Sequence, residues 1–212
     1  MIEKSTGNIF KKLSVFSIGA ITYIFFAKIL GTFNKLHLYD SFFIETKEIF
    51  YVISFSILTL FFLKYSRDFG ANLSSFFKMI SSLPIAGYFF LLISHLINFL
   101  NIIAKGLWIN PKFLNTIINT ILPFLNYLFL SIFFAILYSY LRKEKNSLKD
   151  AVLWLFFSLI LVDINFVLVF LNLFFIKDLA INSNFISFMI LSLFFQYITY
   201  LNFFYRFSKS LK

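Results

Sequence analysis

The fold of this 212-residue chain is decided by residues 151–176, which read AVLWLFFSLILVDINFVLVFLNLFFI. Only four of these residues are polar, and one of them, Asp163, is charged. A bilayer core about 30 Å thick is crossed by about 20 apolar residues in an α-helix. Lipid offers backbone groups no hydrogen-bond partner, so such a run must satisfy them internally, as a helix does. This stretch is therefore predicted to be a transmembrane helix.

Five further stretches meet the same requirement: residues 13–32, 48–64, 79–104, 116–141 and 185–207. The composition agrees, because apolar residues make up 60% of the chain and charged residues 13%, against roughly 25% charged residues in soluble proteins. A soluble domain of this length has too little interior to bury so much apolar surface. We therefore predict an all-α, polytopic membrane protein whose single domain is a bundle of six transmembrane helices.

The basic residues predict how the chain is oriented. Of the 19 Lys and Arg residues, 13 lie at one set of predicted helix ends and six at the other. The richer side normally faces the cytoplasm, so we expect both termini inside, in a bacterial cytoplasmic membrane. The formal net charge of +10 is dispersed over the helix ends, which favours anionic lipid headgroups as its partner and argues against nucleic acid.

Several local features refine this outline. Residues 66–82 combine basic and aromatic residues at helical spacing, which predicts an amphipathic helix in the cytoplasmic interface. Pro84 and Pro123 fall inside predicted spans and are expected to kink their helices. Lys28 lies about one turn from the outer end of the first span, where its long side chain is expected to reach the headgroups.

The external connection before the second span carries His37, Asp40 and Glu45, with Glu48 just beyond. Histidine and carboxylates this close are the ligand types of a divalent metal site, but their spacing matches no known template, so we expect a solvated loop and no metal. The chain has no cysteine, no phosphate-binding glycine loop and no metalloprotease or hydrolase motif. We therefore expect neither catalysis nor a cofactor.

Polar residues within the predicted spans form the candidate site, because lipid excludes such groups unless they are paired or functional. At a rise of 1.5 Å per residue, polar side chains from four predicted helices fall in one layer near the bilayer centre: His95, Asn126, Asp163 and Gln196. Asn98 lies on the same helix face as His95 and is included in the candidate site. We expect His95 to be the ionic partner of Asp163, with Asn126 and Gln196 as hydrogen-bond donors. Interhelical hydrogen bonding and a site for a small polar solute or proton are both consistent with this layer.

Two stretches carry a resemblance to a known family. NLSSFFKMISSLPIAGYFFLLISHLI, residues 72–97, resembles the entry to the third span of the Yip-type membrane family, where a basic-aromatic segment precedes a proline-containing helix. AILYSYLRKEKNSLKDAVLWLFFSLILV, residues 135–162, is similar to that family's tight cytoplasmic hairpin. The resemblance implies a helical membrane domain and no defined activity. The family usually has five spans, whereas six are predicted here.

These features predict three functions. The first is a Yip-like membrane scaffold or accessory protein that binds partner membrane subunits. The second is a small-solute transport component, such as the substrate-binding membrane subunit of an importer, which would use the polar layer as its site. The third is an immunity protein that protects the producer of a peptide toxin.

Overall fold

The computed structural model describes residues 4–33, 41–68, 79–104, 121–143, 148–174 and 183–210. The regular structure of these residues is helical and contains no strand. The six helices are α1 (Lys4–Phe33), α2 (Ser41–Asp68), α3 (Leu83–Ile103), α4 (Leu122–Lys143), α5 (Lys149–Phe174) and α6 (Ser183–Ser210). Each contains a segment long and apolar enough to cross a membrane. The predicted all-α bundle of six spans is therefore confirmed.

The six helices form a closed ring in the order of the sequence. Each helix packs against the one before and the one after it, and α6 packs against α1. Phe10, early in α1, contacts Phe61 late in α2 and Phe207 late in α6, with ring centroids 6.3 and 5.9 Å apart. The chain thus enters α1 and leaves α6 at the same end of the ring, which we call the base. The opposite end, near Lys28 and Met189, is called the mouth.

Six phenylalanines fill the base half of the ring, two each from α2, α4 and α6. These helices alternate around the ring and meet through edge-on ring pairs. The ring centroids are 4.9 Å apart for Phe61 and Phe204, 5.8 Å for Phe62 and Phe133, and 5.2 Å for Phe134 and Phe203. All six side chains are almost completely buried. This cluster, called the aromatic core, gains the edge-to-face attraction of about 0.5–1.5 kcal/mol per pair and closes the middle of the base half.

The kink predicted at Pro84 is wrong. Ser82 occupies the N-cap position of α3 and Leu83 is its first residue, so Pro84 lies in the first turn. Backbone N–H groups there have no partner within the helix, and proline is tolerated for that reason. Pro123 is the second residue of α4, and Ile121 before that helix is in a π-helical turn, so the kink at Pro123 stays a prediction. Residues 105–120, which precede α4, lie outside the described residues. So do residues 69–78, which make up most of the predicted interfacial helix.

Helices α3 and α4 approach each other closely at Gly87. A β-carbon built on Gly87 would collide with the side-chain oxygen of Asn126 and would lie 3.2 Å from the Cα of that residue. Small residues where helices meet allow such approach in membranes, where van der Waals packing drives association. The absence of a side chain at Gly87 therefore sets the spacing of the two helices at this point.

Candidate functional site

The mouth half of the ring encloses a chamber of about 310 Å³ with wall residues from all six helices. Sites for small molecules commonly begin at about this size. The polar side chains in its wall are Lys28, Lys47, Glu48, His95, Asn126, Asn165 and Gln196. The aromatic ones are Phe25, Tyr51, Phe55, Tyr88, Tyr127, Phe166, Tyr197 and Tyr200. The chamber thus combines a mostly apolar wall with a few polar groups, as small-molecule sites do.

The floor of the chamber is a pair of tyrosines. The hydroxyl groups of Tyr88 on α3 and Tyr200 on α6 are 3.2 Å apart, and this hydrogen bond joins helices on opposite sides of the ring. Beneath it, the ring of Tyr88 stacks on Phe62 at 5.5 Å and the ring of Tyr200 stacks on Phe204 at 6.1 Å. Both phenylalanines belong to the aromatic core. Within the described part of the chain, the chamber therefore ends at the middle of the ring.

His95 is paired with Glu48, and the predicted ion pair with Asp163 is wrong. The Nδ1 atom of His95 lies 2.7 Å from Oε2 of Glu48, and both side chains are buried. The imidazole also stacks on Tyr51 at 4.6 Å and on Phe55 at 5.2 Å. Glu48 begins a helical row that continues through these two aromatic residues. That row places Glu48 on the inner face of α2, whereas the sequence prediction made it the first residue of the second span and did not include it in the polar layer.

Asp163 lies on α5 where that helix meets α4, outside the wall of the chamber. Ser131 of α4 donates a hydrogen bond to its Oδ2 atom at 2.6 Å, while Oδ1 is buried without a partner among the described residues. Asn98 is partly buried on α3 and does not line the chamber either. Asp163 and Asn98 do not line the chamber because each lies on a side of its helix that faces away from it. Depth in the membrane alone does not decide which side of a helix faces inward.

Three of the five candidate residues do meet at the chamber: His95, Asn126 and Gln196. Gln196 is 6% exposed, and its side chain makes no hydrogen bond within the described part of the chain. Asn165, two residues beyond Asp163, joins them and donates a hydrogen bond to the hydroxyl of Ser192. The predicted polar layer is thus partly a chamber wall and partly a helix interface.

Lys28 turns into the chamber, so the predicted reach toward the headgroups is wrong. Its ammonium group donates a hydrogen bond to the hydroxyl of Tyr127 and lies 4.9 Å from the centre of that ring. Tyr127 is on α4, across the ring from α1. A second cation in the wall, Lys47, lies 5.6 Å from the centre of the Tyr51 ring. Tyrosine hydroxyls and ring faces stabilise ammonium groups away from water.

No protein-family model, curated protein or solved structure matches this chain. The resemblance to the Yip-type family therefore stays a prediction.

Proposed function

We propose that this protein is a non-catalytic, solute-binding component of a membrane transport system, and that the chamber holds the solute. The observation that carries the proposal is the chamber itself. All six helices contribute to its wall, and buried polar groups lie among its aromatic residues. A ring built only for stability has no need of such a space, because filled interiors gain more packing energy.

The closed floor favours binding over conduction. The tyrosine pair and the aromatic core occupy the path from the chamber to the base. A solute that enters the chamber therefore cannot pass on toward the base until the helices rearrange. Release toward the base requires movement of α3 and α6, which the floor hydrogen bond joins. Transport subunits that act with a partner provide such movement, and this supports a binding component rather than a channel.

The proposal is tested by native mass spectrometry of the full chain purified in mild detergent. We expect a small molecule to be retained by the wild-type protein and lost from the variant Leu193→Trp, because Leu193 lines the chamber and the larger ring would occupy it. The matched control is Leu191→Trp on the same helix. Leu191 is 64% exposed on the outer face, so this variant should retain the molecule. Absence of any retained molecule from the wild type, or equal retention by both variants, would contradict the proposal.

The membrane-scaffold function predicts a different result in the same experiment. Partner subunits would be retained with the chain, no small molecule would be found, and filling the chamber would have no effect on them. An immunity protein would instead retain a peptide toxin.

A further inference from the structure

We propose that the solute is a neutral, planar molecule whose polar edge is an amide: a small ring system that carries an N–H donor beside a carbonyl acceptor. This inference rests on the proposed function and adds the chemical class of the ligand. The sequence alone predicted a small polar solute, whereas the observed wall favours a molecule with one polar edge and an apolar body.

The polar side of the chamber is formed by three carboxamides on consecutive helices: Asn126 on α4, Asn165 on α5 and Gln196 on α6. Their exposed fractions are 3%, 4% and 6%, so each side chain is well separated from bulk water. A carboxamide bears no charge and presents a carbonyl acceptor beside an N–H donor. Because α4, α5 and α6 are neighbours in the ring, the three side chains form one arc of the wall.

Asn165 leaves an acceptor for the ligand. Its Nδ2 atom donates a hydrogen bond to the hydroxyl of Ser192, and that hydroxyl donates to the backbone carbonyl of Met189 at 2.9 Å. The single hydrogen of the Ser192 hydroxyl is thereby used, so Ser192 only accepts from Asn165, and this fixes the orientation of the amide. Oδ1 of Asn165 is left buried without a partner among the described residues. Buried acceptors normally have a donor, and an N–H group of the ligand supplies it.

Asn126 and Gln196 leave donors as well as acceptors. Oδ1 of Asn126 is buried without a hydrogen-bond partner in the described part of the chain and lies against the α-carbon of Gly87, where a C–H contact is the interaction that remains to it. Nδ2 of Asn126 and the side chain of Gln196 make no hydrogen bond to the described residues. A ligand with both a donor and an acceptor satisfies this arc, whereas a carboxylate only accepts and leaves Oδ1 of Asn165 unpaired.

A cationic ligand would also bring donors, but the described wall offers it no free carboxylate. Glu48 is the only acidic side chain of the wall among the described residues, and it is paired with His95 at 2.7 Å. Moving a charge out of water is costly unless a countercharge receives it, whereas a neutral amide needs only hydrogen bonds. The arc of carboxamides therefore favours a neutral ligand over a cation of the same shape.

The remainder of the wall favours a flat, apolar body. Eight of its side chains are those of phenylalanine and tyrosine, and the rings of Tyr51, Phe55 and His95 form a tier whose planes are inclined by 8–28° to one another. Flat ligands gain offset or edge-on contacts with such rings. A volume of about 310 Å³ holds on the order of ten water molecules at about 30 Å³ each. This is room for a bicyclic ring system with a short substituent and not for a lipid with full acyl chains.

The test uses four probes of nearly the same shape: 2-naphthamide, 2-acetylnaphthalene, 2-naphthoate and 2-naphthamidine. The last three replace the amide by a ketone without a donor, by an anion without a donor and by a cation that only donates. Their affinities for the full chain in lipid nanodiscs are measured by isothermal titration calorimetry, with empty nanodiscs as the blank. We expect the amide to bind at least about tenfold more tightly than each of the other three, because only the amide satisfies both the donors and the acceptors of the arc.

Two variants connect this preference to the carboxamides. Gln196→Met removes both amide atoms and breaks no hydrogen bond to the described residues, so the variant should fold. We expect it to lower the advantage of the amide over the ketone at least about threefold and to leave the affinity for the ketone within about twofold. Asn165→Leu should do the same by removing the unpaired acceptor. The matched control is Asn202→Leu on α6, which changes a side chain that lies outside the chamber wall and bonds to Arg206; it should leave all four affinities unchanged.

The outcomes separate the ligand class from the proposed function. If the ketone binds as tightly as the amide, or if both chamber variants keep the full preference, the amide class is wrong while solute binding stands. If the carboxylate or the amidine binds most tightly, the ligand is not neutral and the inference is overturned. If none of the four binds, the molecule retained in native mass spectrometry decides: a neutral molecule with an amide edge supports the inference and any other overturns it. If no molecule is retained and no probe binds, the proposed function fails, and the inference fails with it.

Discussion

Replacing Gly87 by alanine tests the close approach of α3 and α4 that shapes one side of the chamber. The added β-carbon would collide with Oδ1 of Asn126 and would lie 3.2 Å from its Cα and 3.3 Å from its Cγ. Rotation of the Asn126 side chain relieves the first collision, but the crowding against the backbone remains. Because Asn126 is 3% exposed, its side chain has little free space to occupy. Helices α3 and α4 must therefore separate by a few tenths of an ångström or repack.

The expected loss of stability is worked out by comparing Gly87→Ala with Gly19→Ala, a substitution in α1. A β-carbon there meets no atom within 4 Å. Both substitutions gain the same helix preference of alanine over glycine, about 0.5–1 kcal/mol, so their difference isolates the packing penalty. Inserting one carbon into a packed interior costs about 1–3 kcal/mol. We expect Gly87→Ala to be less stable than Gly19→Ala by this amount.

The assay is equilibrium unfolding of each variant in mixed micelles with increasing denaturing detergent, followed by circular dichroism of the helices. The double variant Gly87→Ala with Asn126→Ala should recover part of the loss, because the colliding side-chain atoms are gone while the backbone of residue 126 stays close to the new methyl group. Equal free energies of unfolding for the two glycine variants would refute the packing argument. Solute binding by Gly87→Ala should also weaken, since Asn126 lines the chamber.

Three further results are expected. Glu48→Leu should destabilise the protein by about 1.5–3 kcal/mol, because it leaves His95 without its partner. The loss should be smaller when His95→Leu is already present, because the pair is then already broken. Additive losses of stability in detergent unfolding would contradict the pairing. Ser131→Ala should destabilise the protein by about 1–3 kcal/mol, because it leaves the Asp163 carboxyl without a donor. His95→Ala and Asp163→Asn should have additive effects on the free energy of unfolding. A coupling energy above about 0.5 kcal/mol would indicate that His95 and Asp163 interact. Tags on the two chain ends should both be accessible only from the cytoplasm in intact cells, and labelling from opposite sides would refute the predicted orientation.

Much of the fold followed from the sequence because lipid imposes a simple rule. A run of about 20 apolar residues has no alternative to a helix in the bilayer core, so residues 151–176 were sufficient to predict the span now seen in α5. The ends of helices depend on finer features. The third span was predicted to begin at residue 79, whereas α3 begins at Leu83, because a turn at Ser81 and Ser82 separates Met79 and Ile80 from the helix.

The candidate site was predicted less well, since the prediction rested on depth in the membrane and not on direction around each helix. Asp163 and Asn165 differ by two residues and so point to different sides of α5; only Asn165 reaches the chamber. Glu48 was not included in the predicted polar layer because it is the first residue of the predicted second span. The signal that was available is its helical spacing to Tyr51 and Phe55, which stack on the same histidine.

The sequence by itself determined that the chain has six segments able to cross a membrane and which polar residues lie deep in them, because the free energy of transfer into lipid depends on each residue locally. The tertiary structure decided that the helices close into a ring, that Lys28 and Glu48 face inward, and that His95 pairs with Glu48. These results depend on how each helix is rotated and which helix lies opposite it. That rotation is set by packing among residues far apart in the chain, such as the close approach of Gly87 to Asn126.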